Sequence, residues 1–109
     1  SRLMGDHMLQ RLRQMQEKHP CIGEVRGKGL FCAVELVKDR KTREPFAPYN
    51  TDSPVLGRIA REAKERGVIF MARWNYFVLA PPLVITQAEL DGALDLFDEL
   101  LHYADAEVA

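Results

Sequence analysis

The stretch GVIFMARWNYFVLAPPLVIT, Gly67 to Thr86, decides how this chain is read. Val68 to Met71 is an apolar, β-favouring run without Gly or Pro, and Phe77 to Ala80 is a second. Between them Trp74 and Asn75 turn the chain, because Asn tolerates positive φ better than most residues. Pro81 and Pro82 lack the N–H that a sheet ladder needs, so they end the second strand. The expectation is strand, tight turn, strand and exit into a helix. Arg73 sits at the hairpin tip, flanked by Trp74 and Tyr76. A planar guanidinium holds a carboxylate or phosphate through two parallel hydrogen bonds, so Arg73 with Trp74 is the candidate binding pair. An ordinary surface hairpin carries such an arginine as well.

Upstream of the hairpin, Ser53-Pro54 opens a helix, with Ser as N-cap and Pro at the first helical position. Val55, Leu56, Ile59, Ala60 and Ala63 form its apolar stripe, Lys64 and Arg66 suit its C-terminal end, and Gly67 closes it. Downstream, Thr86 and Glu89 spell a capping box, with Ile85 and Leu90 placed as a hydrophobic staple. Leu90, Ala93, Leu94, Phe97 and Leu101 make the apolar face of this last helix, which leaves its Asp and Glu residues mostly on the outer surface.

Nearer the N-terminus, Met4, Met8, Leu12 and Met15 recur on one helical face between Ser1 and His19, and Pro20 stops that helix. No N-cap signal precedes it, so the helix is expected to begin upstream. CIGEVRGKGLFCAVELV, Cys21 to Val37, reads as two strands around Gly27 and Gly29. It is no phosphate loop: a dinucleotide fingerprint needs a third glycine where Cys32 stands, and the P-loop spacing is absent. Leu30, Cys32, Val34 and Leu36 line one strand face, and Phe31, Ala33, Glu35 and Val37 the other. Glu35 is placed to pair with Arg26 in a sheet-edge ion pair or with a substrate group. Lys38 to Asp52 is polar, holds two prolines and shows no apolar period, so it reads as a connecting excursion. The order is α-β-β-α-β-β-α, an α+β fold with a small antiparallel or mixed four-stranded sheet covered by helices.

The composition agrees. With 109 residues, 47% apolar and 28% charged, the chain forms one globular domain, residues 1–109. A net charge of −1 gives no reason to expect nucleic acid as a partner, and no apolar run approaches the roughly 20 residues that span a bilayer. Cys21 and Cys32 form no C-x-x-C, and with His7, His19 and His102 they lack metal-ligand spacing. No metal site is therefore assigned, and a reducing cytoplasm suits the two thiols.

Two motifs in combination carry more. The run HP-x-IGEVRGKGLF-x-AVELV, then an excursion, a helix, GVI, a hairpin, APPLVIT, and ELD in a final helix resembles the C-terminal small domain of class III aminotransferases, which are fold-type I pyridoxal-phosphate enzymes. The resemblance covers nearly the whole chain. It implies a piece of a larger enzyme that moves an amino group from an amine or amino acid to a keto acid, and that works as a homodimer or higher homo-oligomer. The family's large domain, on the same polypeptide, supplies the cofactor lysine, the aspartate facing the pyridine nitrogen and most phosphate-binding groups. None of those motifs occurs here, so this chain is expected to contribute no catalytic or cofactor-binding residue and to bind no pyridoxal phosphate alone.

The hairpin also discriminates within the family. In ornithine- and γ-aminobutyrate-type branches an arginine usually lies three residues before the Pro-Pro pair, where this chain has Val78. In many ω-amine:pyruvate members it lies ten residues before, where this chain has Met71. Arg73 is two residues further on, which in a strand returns to the same face. The resemblance thus implies an ω-amine:pyruvate-like member with Arg73 and Trp74 at the substrate carboxylate. Class III decarboxylases, racemases and aminomutases share the fold and remain alternatives, as does a stand-alone α+β module that binds a small carboxylate or a partner.

Overall fold

Strand β2 (Phe31–Asp39) is the spine of the sheet. It pairs antiparallel with β1 (Ile22–Lys28) on one side and with β5 (Tyr76–Leu79) on the other. Short β4 (Met71–Ala72) borders β5, and a two-residue strand, β3 (Glu44–Pro45), joins β2 near its end. The computed structural model describes residues 2–28, 31–39, 41–45, 53–72, 75–80 and 85–108. Among these the helices are α1 (Arg2–Lys18), α2 (Pro54–Glu65), α3 (Gln87–Leu100) and α4 (His102–Asp105).

Alternation in β2 puts Cys32, Val34 and Leu36 into the core. Register continues that layer across the sheet: Val25 stands opposite Val34, Val34 opposite Phe77, and Cys32 opposite Leu79. Met8, Leu12 and Met15 of α1, Leu56, Ile59 and Ala63 of α2, and Leu90, Leu94, Phe97 and Leu100 of α3 close over this face. Phe70, Phe77 and Phe97 meet at its centre, with ring centroids 4.9–6.4 Å apart and edges turned toward faces. At Gly27, opposite Cys32, an added Cβ would fall 2.5 Å from the Cys32 sulfur, so only glycine fits there.

The helix boundaries follow the sequence signals. Ser53 Oγ accepts the Leu56 N–H, and Pro54 follows it. Gly67, at φ 85°, takes the left-handed conformation that ends α2. Thr86 Oγ1 accepts the Glu89 N–H at 3.1 Å while Glu89 accepts the Thr86 N–H at 3.0 Å, which completes the capping box. Ile85 packs on the core that contains buried Leu90.

Several boundaries differ from expectation. The sheet has five strands, not four, because the polar excursion contains β3: Asp39 Oδ1 accepts the Lys41 N–H, Asp39 O accepts that of Arg43, and the chain doubles back through Arg43 at φ 60°. The first strand of the second hairpin is Met71–Ala72 rather than Val68 to Met71, since the Val68 N–H is still bound to Ala63 O in the helix closure. Its partner begins one residue earlier, at Tyr76, and ends at Leu79. After Leu100 the chain makes one further turn, α4, with the Ala104 and Asp105 N–H groups bound to Leu101 O. Leu30, Gly29 and the Pro81-Pro82 exit lie outside the described residues.

Candidate functional site

The predicted pair, Arg73 and Trp74, lies outside the described residues, between Ala72 of β4 and Asn75. Both brackets are fixed. Ala72 pairs with Phe77, and Asn75, only 8% exposed, gives its carbonyl to the Leu36 N–H at 2.7 Å. The hairpin end is therefore tied to the middle of β2.

Glu35 is half-buried on the sheet face turned away from the helices, and its cross-strand neighbours are Glu24 on β1 and Tyr76 on β5. Like charges directly opposite repel. Arg43, carried over by the β3 turn, places a guanidinium nitrogen 3.7 Å from a carboxylate oxygen of each. Glu35 thus pairs with Arg43 rather than Arg26, in an edge ion pair that depends on the β3 turn.

The strongest polar constellation joins α1 to α3 and α4. His7 bonds Asp91 at 2.6 Å, Arg11 spans Asp91 and Asp95 at 3.1 and 2.7 Å, and Lys18 meets Asp98 at 2.6 Å. Buried His19 lies between Asp98 and Asp105, one ring nitrogen to each, and Asp105 also accepts the Cys21 N–H at 3.2 Å. His7 and then Arg11 hold the Asp91 carboxyl below its usual range. At Asp98 burial opposes charge, but hydrogen bonds from His19 and Lys18 prevail and keep that carboxyl low as well. Asp91 and Asp98 of α3 are therefore half-buried in an inter-helix seam, while Glu89, Asp95 and Glu99 lie on the outer surface as expected. A signal existed: Asp91, Asp95 and Asp98 recur at helical spacing, and His7, Arg11 and Lys18 answer them on α1.

On the opposite flank, Arg58 of α2 donates to Glu62 at 2.9 Å and lies 3.9 Å above the Tyr103 ring, whose hydroxyl donates to the other Glu62 oxygen at 3.1 Å. This closed set fastens the last turn of the chain to α2. Cys21 and Cys32 are buried thiols, and burial pushes that of Cys32 up. Among the described residues no group of three or more His, Cys, Asp or Glu side chains could hold a metal ion, and no helix is long and apolar enough to cross a membrane.

Lysines matter most for cofactor chemistry. Lys18 is paired with Asp98, Lys28 ends an edge strand, Lys38 and Lys41 sit at the β3 turn, and Lys64 is on the exposed side of α2. None is enclosed as a covalently held cofactor requires, so these residues do not fit pyridoxal phosphate.

Residues 1–101 match the family described as aminotransferase class-III. A taurine–pyruvate aminotransferase of Bilophila wadsworthia is 41% identical over 95 residues, which are 81% of this chain and 20% of that protein. An isoleucine 2-epimerase of Lentilactobacillus buchneri is 40% identical over 87% of this chain and 20% of its own length. Among solved structures, a taurine:2-oxoglutarate aminotransferase from Bifidobacterium kashiwanohense, in complex with PLP and glutamate, superposes with a TM-score of 0.89 at 34% identity, covering 99% of this chain and 24% of that one. The chain spans about a fifth of the length of the curated relatives it matches.

Proposed function

The chain belongs to the class III aminotransferases, and from that premise we propose that residues 1–109 are the C-terminal small domain of a longer pyridoxal-phosphate enzyme. The enzyme transfers an amino group from an amine or amino acid to a keto acid. One observation carries the reading: more than four-fifths of this chain aligns with its relatives, yet it amounts to only a fifth of them. The surface placement of its lysines supports a division of labour in which the remaining polypeptide holds the cofactor. This domain contributes Arg73 and Trp74, delivered by the anchored β4–β5 hairpin, to the substrate carboxylate. The enzyme works as a homodimer or higher homo-oligomer, and a reducing cytoplasm suits its buried thiols.

A second reading, amino-acid racemase or epimerase, is favoured by the similarity to the isoleucine 2-epimerase. One experiment separates the two. The whole polypeptide, supplied with pyridoxal phosphate, is given an enantiopure amino acid or an amine together with pyruvate or 2-oxoglutarate, and products are resolved chirally. Amino transfer to the keto acid supports the proposal. Inversion of the amino acid with no consumption of keto acid supports the second reading, and neither reaction overturns both.

A further inference from the structure

His19 is buried between two carboxylates, with Nδ1 against Asp105 Oδ2 of α4 and Nε2 against Asp98 Oδ1 of α3. The other two carboxylate oxygens are taken as well. Asp98 Oδ2 accepts from Lys18 Nζ at 2.6 Å, and Asp105 Oδ1 accepts the Cys21 N–H at 3.2 Å. Four oxygens therefore face four nitrogens. An ionised carboxylate only accepts, so every one of those nitrogens has to supply a hydrogen. The Lys18 ammonium and the Cys21 amide do so. A neutral imidazole supplies one hydrogen and would turn the lone pair of its other nitrogen onto a carboxylate. Across either contact the shared hydrogen belongs to the ring, because imidazole is the stronger base, at about 6.5 against about 4 for a carboxylate. At Asp98 burial favours a proton, but the hydrogen bonds from His19 and Lys18 outweigh it and hold that carboxyl low. The charge count agrees: Lys18 and a doubly protonated ring balance Asp98 and Asp105, and the next carboxylate along α3, Asp95, is matched by Arg11.

We propose that His19 is a structural imidazolium at neutral pH, and that its second ring proton latches α4 to the end of α1 and to the entry of β1. Removing that proton in mild base sets a lone pair against a carboxylate and frees this end of α4. The direction follows from proton counting. In the unfolded chain an ordinary histidine is mostly neutral above about pH 6.5. The folded chain then binds one proton more than the unfolded one, so stability falls as pH rises, opposite to the effect of a paired carboxylate. The opening is local. Leu101 and Ala104 stay in the core and Tyr103 keeps its bond to Glu62, so residues 105–108 are the ones that loosen. Their amides report it, since Ala106 N–H is bound to His102 O and Val108 N–H to Asp105 O.

Two measurements on the whole natural polypeptide test the latch. With histidine rings labelled by nitrogen-15, the His19 signal is the one missing from His19→Gln. At about pH 7.5, where an ordinary histidine is mostly neutral, it should show hydrogen on both nitrogens. One bare nitrogen at that pH overturns the proposal. Hydrogen exchange of residues 105–108, corrected for the base-catalysed intrinsic rate, reads the opening. Between about pH 7.5 and 9 the wild type should lose about tenfold in protection, the worth of one charge-assisted bond. In Asp105→Asn the side-chain amide donates to a bare ring nitrogen, so protection should be equal at the two pH values. Unchanged protection in the wild type, or the same loss in Asp105→Asn, overturns the latch.

Discussion

His19, in the turn that leaves α1, is buried against Asp98 of α3, far along the chain. Its other ring nitrogen meets Asp105, which in turn accepts the Cys21 N–H at the start of the sheet. One side chain therefore holds the end of the first helix, the last turn of the chain and the entry to β1 together. His19→Ala removes a partner from two carboxylates at once. Both are half-buried and keep one further partner each, Lys18 and the Cys21 N–H, so the cost is that of two lost hydrogen bonds, about 1–3 kcal/mol. The urea midpoint of the chain should fall accordingly with an unchanged slope. His19→Ala combined with Asp98→Asn should cost less than the sum of the two changes, because the contact is shared.

The same cluster sets an acid limit. The folded-state carboxyl of Asp98 lies below its ordinary value, held there by His19 and Lys18 against the effect of burial, and Asp91 is lowered by His7 and Arg11. A depressed carboxyl stabilises the fold above its unfolded value of about 4 and ceases to do so as pH falls through the folded value. Stability should therefore be level across neutral pH in respect of these groups and decline below about pH 4. In Asp98→Asn that share of the decline disappears, so the difference between wild type and variant should shrink as pH is lowered. Urea titrations at stepped pH give the comparison; a gap that widens in acid contradicts it.

Gly27 tests the packing beneath the first hairpin. An added Cβ would lie 2.5 Å from Cys32 Sγ and 3.3 Å from Leu9 Cδ1. The sulfur is buried at the middle of the sheet, so β1 has to shift for the methyl to fit. Gly27→Ala should destabilise by about 1–3 kcal/mol, the usual cost of overpacking a close-packed core. Cys32→Ala in the same chain should recover part of the loss by vacating that space. A thermal melt of the single and double variants measures both effects.

These relationships also show which parts of the fold were legible in the residues. Local signals survived folding unchanged: Ser53 and Thr86 cap their helices, Gly67 ends α2, and the Met8, Leu12 and Met15 stripe faces the core. Each depends on atoms within one turn of chain. The failures needed partners outside the segment itself, a few residues away at β3 and Val68 and much further at the aspartates. Glu44–Pro45 has no strand character of its own and forms β3 because the Asp39 turn returns it to β2. The aspartates of α3 read as solvated until α1 is laid beside them. Val68 to Met71 has the composition of a strand, but its first residue is held in the closure of α2. At the candidate site, what was legible is the hairpin, not its register; Arg73 and Trp74 were named from chemistry and resemblance, and they lie outside the described residues.

The proposed role of Arg73 yields the most specific expectation for function. Its neighbour Ala72 is in register with Phe77, and Asn75 is buried and bonded to β2, so the tip is carried on a fixed base. On that proposal a guanidinium there would meet the carboxylate of an amino or keto acid through two charge-assisted hydrogen bonds, with Trp74 limiting access of water. Losing such a contact costs about 1.5–3 kcal/mol, or roughly tenfold to a hundredfold in kcat/KM. Arg73→Ala in the whole enzyme should therefore impair amino acids and keto acids by that factor while sparing a simple amine in its own half-reaction. Arg73→Lys should restore only part, since a single ammonium does not reproduce the fork. Single-turnover half-reactions read donor and acceptor separately, and a melting curve confirms that the fold is retained. An arginine that merely stacks on Trp74 predicts something else: equal loss for amine and amino acid, or no loss for either. Either of those results removes Arg73 from the substrate site.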